Sequence, residues 1–456
     1  MRVFLLRKKS LTTTQIIAAG FLCAIILGTI LLMLPVSSKA GVWTNPVDAM
    51  FTATTSVCVT GLVTVSTADY WSIFGQCVIL VLVQFGGLGI VTFTTMVLLV
   101  AAKRITLKER LLIRDAYNLD SLNGLVKLTI KVVKGTLLVE GIGALLYMPV
   151  FIRDKGAFGI FASIFNAVSA FCNAGMDLLG NDSLALYRDN VLVNFTTISL
   201  IILGGIGFPV WWDVIRCIKK RKKTGARSMW QLFNLHTKLV LFVSFILVFG
   251  GAIIIFLLEF NNGNSIGNLS LFNKIQASLF QSVTTRTAGF YTIAQNQFTD
   301  ATAFISSLLM FVGGSPSGTA GGVKTVTVAM VLLTAIAIVR NRRNTEIFGR
   351  SISEENVRKG MAVIIVSLSV MLCSIAALCI TQNFDFLDIL YECVSAIATV
   401  GLTRGITDKL NVIGKIIIII TMYIGRIGPI SLALFFNTSN SSKNFRKYPK
   451  EDIRVG

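Results

Sequence analysis

Apolar positions in this chain gather into long runs separated by short polar and basic stretches. A membrane-spanning helix needs about 20 consecutive, mostly apolar residues. Eight runs meet that length: roughly Thr13–Pro35, Trp71–Ala102, Gly135–Ile152, Asn190–Val210, Leu239–Leu258, Ala301–Val339, Gly360–Thr381 and Ile416–Phe436. The third holds Glu140, the sixth Lys324 and the eighth Arg426. Met1–Lys9 is basic, but the apolar run after it is long and no A-x-A cleavage site follows. It reads as a first span rather than a removable signal.

Between each odd run and the even run after it lies a semi-apolar segment too short to cross. The four read Phe51-TATTSVCVT-Gly61, Phe165-NAVSAFCNA-Gly175, Leu279-FQSVTTRTA-Gly289 and Tyr391-ECVSAIATV-Gly401. Their glycines are 114, 114 and 112 residues apart. Cys58 and Cys172 stand three residues before their glycines, and Thr55, Ser169 and Ser395 six before. A large apolar residue follows each glycine: Leu62, Met176, Phe290 and Leu402. A second glycine landmark recurs inside each even run, beginning at Gly86, Gly204, Gly313 and Gly425. The unit is therefore span, short segment, glycine turn, span, repeated four times in one orientation. A single such turn between membrane helices is usually a packing site; four in register at a near-constant period point to a shared function.

Composition narrows the class. The 456 residues are 54% apolar and 14% charged, with a mean hydropathy of +0.75. Soluble domains carry about 25% charged residues, and a single soluble core of this size could not bury so much apolar surface. A soluble enzyme, a disordered chain and a secreted disulfide scaffold are excluded. The eight cysteines show no CxxC spacing and the lone histidine is His236, which leaves no support for a zinc site or a His-based triad. There is no P-loop or GxGxxG string and no nucleophile–base set, so no organic cofactor and no enzymatic activity are expected.

The net charge of +20 would indicate nucleic-acid binding in a soluble protein. Here its placement reads as topology. The N-terminal segment, the linkers after spans 2, 4 and 6 and the tail together hold 31 of the 42 basic residues, all on one side. That side is expected to be cytoplasmic, with both termini on it. The run Lys219–Lys223 is read the same way, ahead of nucleic-acid or anionic-lipid binding.

A short helix that enters the membrane and returns by an extended turn leaves carbonyls unpaired. Such backbone survives at membrane depth only where protein buries it or where it lines a water-filled cavity. Four turns about one axis would make a ring of carbonyl dipoles able to replace the hydration shell of a cation, and the carbonyl ends of the short helices would favour positive charge. Thr399-Val400-Gly401 matches the first three residues of the potassium-channel filter string.

These motifs are CVTGL (58–62), CNAGMDLLGN (172–181), TRTAGF (285–290), ATVGLTRG (398–405) and YIGRIGP (423–429). With them the chain resembles the Trk/Ktr/HKT superfamily of cation transporters from about Thr13 to Phe436, and most closely the KtrB-type membrane subunits. The resemblance implies an all-α integral membrane protein whose eight helices form four helix–pore-helix–helix repeats around one pseudo-fourfold pore. It implies potassium held by carbonyls of Val59, Thr60, Gly61; Asn173, Ala174, Gly175; Thr287, Ala288, Gly289; and Thr399, Val400, Gly401. It also implies a homodimer of the pore subunit and a KtrA-type cytoplasmic ring that binds ATP/ADP or NAD. Membrane lipid is the remaining partner, and no nucleic acid is expected. Three repeats lack the Thr-Val-Gly string, so weaker discrimination against sodium is expected; sodium also stands as a coupling or activating ion. The expected division is an N-terminus 1–12, repeats 13–102, 135–215, 239–339 and 360–437, linkers 103–134, 216–238 and 340–359, and a tail 438–456.

The sixth run is interrupted by Gly313, Gly314, Ser315, Pro316, Ser317, Gly318, Thr319, Ala320, Gly321, Gly322, Val323 and Lys324. Glycine and proline disfavour helix interiors, so 313–325 is expected to be a non-helical loop inside the membrane. The resemblance points to it as a gate. Arg426, where the other repeats have a small residue, is expected below the glycine turns and near this loop, as a barrier to cations. Lys324 is expected to anchor the loop. Glu392 and Arg286 read as caps or pairs behind the turns, Glu140 as an ion or proton site or a packed polar group, and Asp177, Asp182, Asp385 and Asp408 as outer acids that concentrate cations. The competing function is a sodium- or proton-coupled carrier with alternating access; inverted repeats and paired intramembrane carboxylates, which such carriers use, are missing from the pattern.

Overall fold

A continuous apolar run fixes a helix, because within lipid every backbone N–H and C=O must be paired inside the segment. The computed structural model describes residues 13–89, 92, 95, 125–180, 182–224, 228–342 and 344–428, and it is all-helical apart from one two-stranded hairpin, Glu346–Ile347 with Arg350–Ser351. The basic N-terminal segment, most of 90–124, Asn181, Arg227 and everything from Pro429 onward lie outside the described residues.

The odd runs form long helices: α1 (Thr13–Met33), α4 (Leu125–Lys155), α8 (Leu235–Glu259) and α12 (Glu354–Thr381). Each contains a stretch long and apolar enough to cross a membrane, and α8 includes one π turn, Ile246–Gly250. The short segments form α2 (Pro46–Cys58), α5 (Phe158–Cys172), α9 (Leu271–Thr284) and α13 (Phe386–Ala398). The even runs give α3 (Ile73–Leu88), α6 (Val191–Gly205), α10 (Asp300–Phe311) and α14 (Val412–Ile427). Each of these four starts on a side-chain cap, Ser72, Asn190, Thr299 or Asn411, which accepts a backbone N–H of the first turn.

Two even runs differ from a plain span. The sixth is broken as its glycines demand, into α10 and α11 (Thr325–Val339). The fourth, expected to be continuous over Asn190–Val210, ends at Gly205 and restarts as α7 (Phe208–Thr224), bent by 96° from α6. Gly207 between them has φ +88°, a conformation that a β-carbon disfavours, and Pro209 sits in the first turn of α7, where its missing N–H costs nothing.

Packing between units has a simple order. Helix α3 packs on α5, α6 on α9, α10 on α13, and α14 on α2. The even helix of each unit thus leans on the short helix of the next, and the last returns to the first. The C-terminal halves of the short helices are buried almost without interruption, while the long helices carry the exposed apolar residues, such as Leu27, Leu138, Leu257 and Ile380.

Candidate cation pathway

Three short helices end in one motif. Val59, Asn173 and Thr399 adopt left-handed φ of 56°, 60° and 51° just past α2, α5 and α13. The next N–H reaches back to the carbonyl five residues earlier: Thr60 to Thr55, Ala174 to Ser169 and Val400 to Ser395, each 2.8 Å. This is the Schellman end of a helix, usually built on glycine. A β-branched valine or threonine there costs of order 1–3 kcal/mol, strain that surrounding structure must hold. The third unit arrives differently: Ala288 N–H donates to Thr284 O at 3.0 Å, and Thr287 takes φ 66°.

The hydroxyl six residues before the glycine braces the turn from behind. Thr55 Oγ1 accepts the N–H of Gly61 at 2.9 Å and Ser395 Oγ that of Gly401 at 3.0 Å. Ser169 Oγ accepts from Met176 at 3.1 Å. Unit three has Val283 at this place and instead uses Thr284 Oγ1, which donates to Phe290 O at 2.5 Å.

The four glycines, all with positive φ, meet in a closed circuit. A methyl added to Gly61 would come within 2.6 Å of Ala174 O, one on Gly175 within 2.8 Å of Ala288 O, and one on Gly289 within 2.7 Å of Val400 O; one on Gly401 would collide with Thr60 O. Each glycine therefore abuts the carbonyl that precedes its neighbour's glycine, and Thr60, Ala174, Ala288 and Val400 contribute four such oxygens to one ring. The carbonyl ends of all four short helices converge there, adding partial negative charge. Buried oxygens without a protein partner also gather at this place: Thr60 Oγ1, Thr399 Oγ1 and Asn173 Oδ1. An unpartnered buried oxygen costs about 1–3 kcal/mol unless water or a ligand satisfies it.

The loop between α10 and α11 lies against this ring. Gly321 N–H donates to Thr287 Oγ1 at 3.3 Å, and a methyl on Gly321 would collide with Thr399 Oγ1. The loop's ends pair with each other, Gly313 N–H to Val323 O at 2.9 Å and Thr325 N–H to Gly314 O at 3.0 Å. Its tip is held by the break between α6 and α7. Ser315 N–H donates to Gly205 O at 2.9 Å, Thr319 N–H to Gly204 O at 3.1 Å, and Ser317 O accepts Phe208 N–H at 3.1 Å. The end of α6 thus gives orphan carbonyls to the loop. Thr319 Oγ1 adds a bond to Phe171 O at 3.0 Å, on α5.

Two half-buried cations grip adjacent carbonyls of the loop. Arg426 Nη1 donates to Thr319 O at 2.7 Å, while its Nη2 donates to Gly86 O on α3. Lys324 Nζ donates to Ala320 O at 2.7 Å. Gly318 and Gly322 complete the fold of the loop, Gly318 close to Gly204 O and Gly207 N, and Gly322 with φ +66°.

Other charged residues lie outside the ring. Glu392 accepts from Thr403 at 2.7 Å and from Thr407 at 2.5 Å, bracing the loop after Gly401. Arg286 donates to Ser244 O at 3.3 Å on α8, and Glu140 accepts from Gln84 at 3.3 Å. Asp182, Asp385 and Asp408 are exposed, whereas Asp177 is buried just past Gly175, and burial pushes its carboxyl up to about 6. What sequence reasoning missed are the partners that hold the loop: Phe171 O and the carbonyls of Gly204 and Gly205. Only Pro209 hinted at the break that exposes them.

This arrangement has recognised counterparts. Residues 6–448 match TrkH, a family described as cation transport proteins. The chain belongs to the TrkH family. It is 40% identical over 447 residues to the Ktr system potassium uptake protein B of Bacillus subtilis, covering 98% of this chain and 97% of that one. It is 39% identical to the potassium/sodium uptake protein NtpJ of Enterococcus hirae, covering 98% of both. The potassium transporter TrkH of Vibrio parahaemolyticus shares the fold, with a TM-score of 0.72 at 16% identity over 92% of this chain and 85% of that one. The family places the chain among membrane cation transporters and not among enzymes.

Proposed function

We propose that this chain is the ion-translocating subunit of a Ktr-type potassium uptake system in a bacterial plasma membrane. The reading makes eight membrane helices into four repeats, 13–102, 135–215, 239–339 and 360–437, around one pseudo-fourfold pore with both termini cytoplasmic. The observation that carries it is the closed circuit of glycines and carbonyls, Gly61 to Ala174, Gly175 to Ala288, Gly289 to Val400 and Gly401 to Thr60. Backbone oxygens in that geometry substitute for a cation's hydration shell. The filter residues are those at positions 59–61, 173–175, 287–289 and 399–401.

The loop 313–325 is the gate. It lies across the inner mouth of the ring, and Arg426 and Lys324 place positive charge where a cation would leave it. Opening requires the loop to exchange its bonds to Gly204, Gly205 and Arg426 for others. A cytoplasmic ring that binds ATP/ADP or NAD drives that exchange from the basic face of a homodimer. Sodium acts as an activating or coupling ion; the Enterococcus relative is named for uptake of potassium and sodium.

The test is potassium and sodium uptake by a strain lacking its own potassium uptake. Gly401→Ser, which adds a side chain at φ +95° against Thr60 O, is expected to cut potassium uptake more than tenfold and to shift ion preference towards sodium. Unchanged uptake and preference would remove the pore assignment.

A further inference from the structure

Helix α7 is not needed to build the ring, yet the loop's tip is bonded to its first residue. Because α7 turns 96° from α6, it runs across the direction of a span rather than along it. Its first half is anchored. Phe208 and Val210 are buried, Trp211 Nε1 donates to Leu203 O at 2.9 Å, and the Trp211 ring meets Phe171 and Phe208 edge-on, 5.8 Å between centroids in each case. Its single acid, Asp213, is buried and taken up by Arg216 and by the backbone N–H of Asn234 at 3.0 Å.

The second half has a different surface. Ile215 and Ile218 are 39% and 41% exposed, and Lys219, Lys220, Arg221 and Lys222 are exposed beside them. On a helix, Ile215 neighbours Lys219 and Ile218 neighbours Lys222, each four residues apart. The two isoleucines and the two lysines therefore share one face, the isoleucines one turn nearer the root. On the adjoining α4, Lys127, Lys131 and Lys134 are exposed on one face, and Lys131 Nζ lies 5.8 Å from the Trp212 ring. A helix at right angles to a span, with tryptophans at its root and one exposed face of isoleucines followed by lysines, is built for a bilayer surface: the isoleucines enter the acyl boundary and the long lysine stems let the ammonium groups reach the phosphates.

We infer that α7 binds the anionic phospholipid headgroups of the inner leaflet and, through the Phe208–Ser317 bond, uses them to hold the intramembrane loop in its seated position. A ligand shifts an equilibrium only by its difference in affinity for the two states. Seated, the loop is bonded to Gly204 and Gly205 at the end of α6 and to Phe208 at the start of α7, so a loop that leaves must disturb the root of α7. Exposed isoleucines on the same face as the lysines favour lipid over an acidic protein surface. The lipid arm is independent of the proposed function; the effect on flux rests on the reading of 313–325 as a gate.

The experiment uses the full chain, purified without other subunits, in phosphatidylcholine vesicles with and without phosphatidylglycerol. Phosphatidylglycerol is expected to lower basal rubidium flux of the wild type. Lys219→Gln with Lys222→Gln is expected to remove that response, at about fivefold in lipid affinity per charge, and Lys219→Arg with Lys222→Arg to keep it. In parallel, thermal unfolding in micelles doped with phosphatidylglycerol is expected to shift upward for wild type and the arginine variant only. Flux that ignores or rises with phosphatidylglycerol, or a glutamine variant that responds like wild type, overturns the inference. So does a stabilisation seen only when a cytosolic regulatory protein is added. Gly401→Ser in the same vesicles keeps the two readings apart: if it leaves ion preference unchanged, the pore reading fails while the unfolding shift still judges the lipid site.

Discussion

The glycine ring and the loop beneath it are both non-helical backbone at membrane depth, and they are held by opposite means. Each turn of the ring is tied chiefly to its own unit: a backbone bond to the helix just left, of Schellman type in three units, and in two units a hydroxyl six residues back that accepts the glycine N–H. The loop's tip depends on other units, on Gly204, Gly205 and Phe171 from the second and on Arg426 from the fourth, which also holds Gly86 of the first. Local ties keep a shape fixed whatever the neighbours do. Ties between units can be exchanged when the units move. On the function proposed above, the same backbone chemistry yields a rigid constriction in one place and a releasable obstruction in the other.

The sharpest way to break this contrast is Gly61→Ala. Its methyl would press on Ala174 O at a φ of +97°, with no flexible side chain to yield, and potassium uptake in a deficient strain is expected to fall at least a hundredfold. Arg426→Gln comes next. It replaces a charged donor bonded to both Thr319 O and Gly86 O, each such bond being worth about 1.5–3 kcal/mol. Basal rubidium flux into vesicles is expected to rise about tenfold with ion preference unchanged; a fall would mean that the arginine opens the path rather than closing it.

A matched pair sharpens the comparison at smaller effect. Ser395→Ala removes the acceptor of the Gly401 N–H and costs the ring about 1–3 kcal/mol, so sodium competition should strengthen severalfold while basal flux stays put. Thr319→Val removes only the bond to Phe171 O, about 1 kcal/mol, so basal flux should rise about fivefold with selectivity unchanged. The same response from both variants would erase the distinction. The smallest effect is at the outer mouth. Burial holds Asp177 near 6, so its carboxyl is ionised at neutral pH and takes up a proton on acidification to about pH 5. Apparent potassium affinity is expected to weaken about twofold over that range, and the change should vanish in Asp177→Asn.

Much of the ring was legible in the sequence, because its constraints are local and fourfold. The glycines must stand where φ is positive and a neighbour's carbonyl lies close, and their period of 112–114 residues carries that requirement into the sequence. The hydroxyls at Thr55, Ser169 and Ser395 were visible too, though not what they brace. The loop was legible only as a failure of helix. Its partners were not, since Thr319 meets Phe171 from 148 residues away and Arg426 meets Gly86 from 340. The bend after Gly205 was hidden for another reason: apolar residues continue to Val210, so hydropathy does not change where the chain turns.

The closure of the ring also bears on how the protein is made. Gly401 rests on Thr60, so the first unit borders the last to be synthesised. Three inserted units leave one side of the constriction open. On the pore reading proposed above, an incompletely translated chain offers the membrane no finished, selective passage, and the aperture comes into being only when the fourth unit docks.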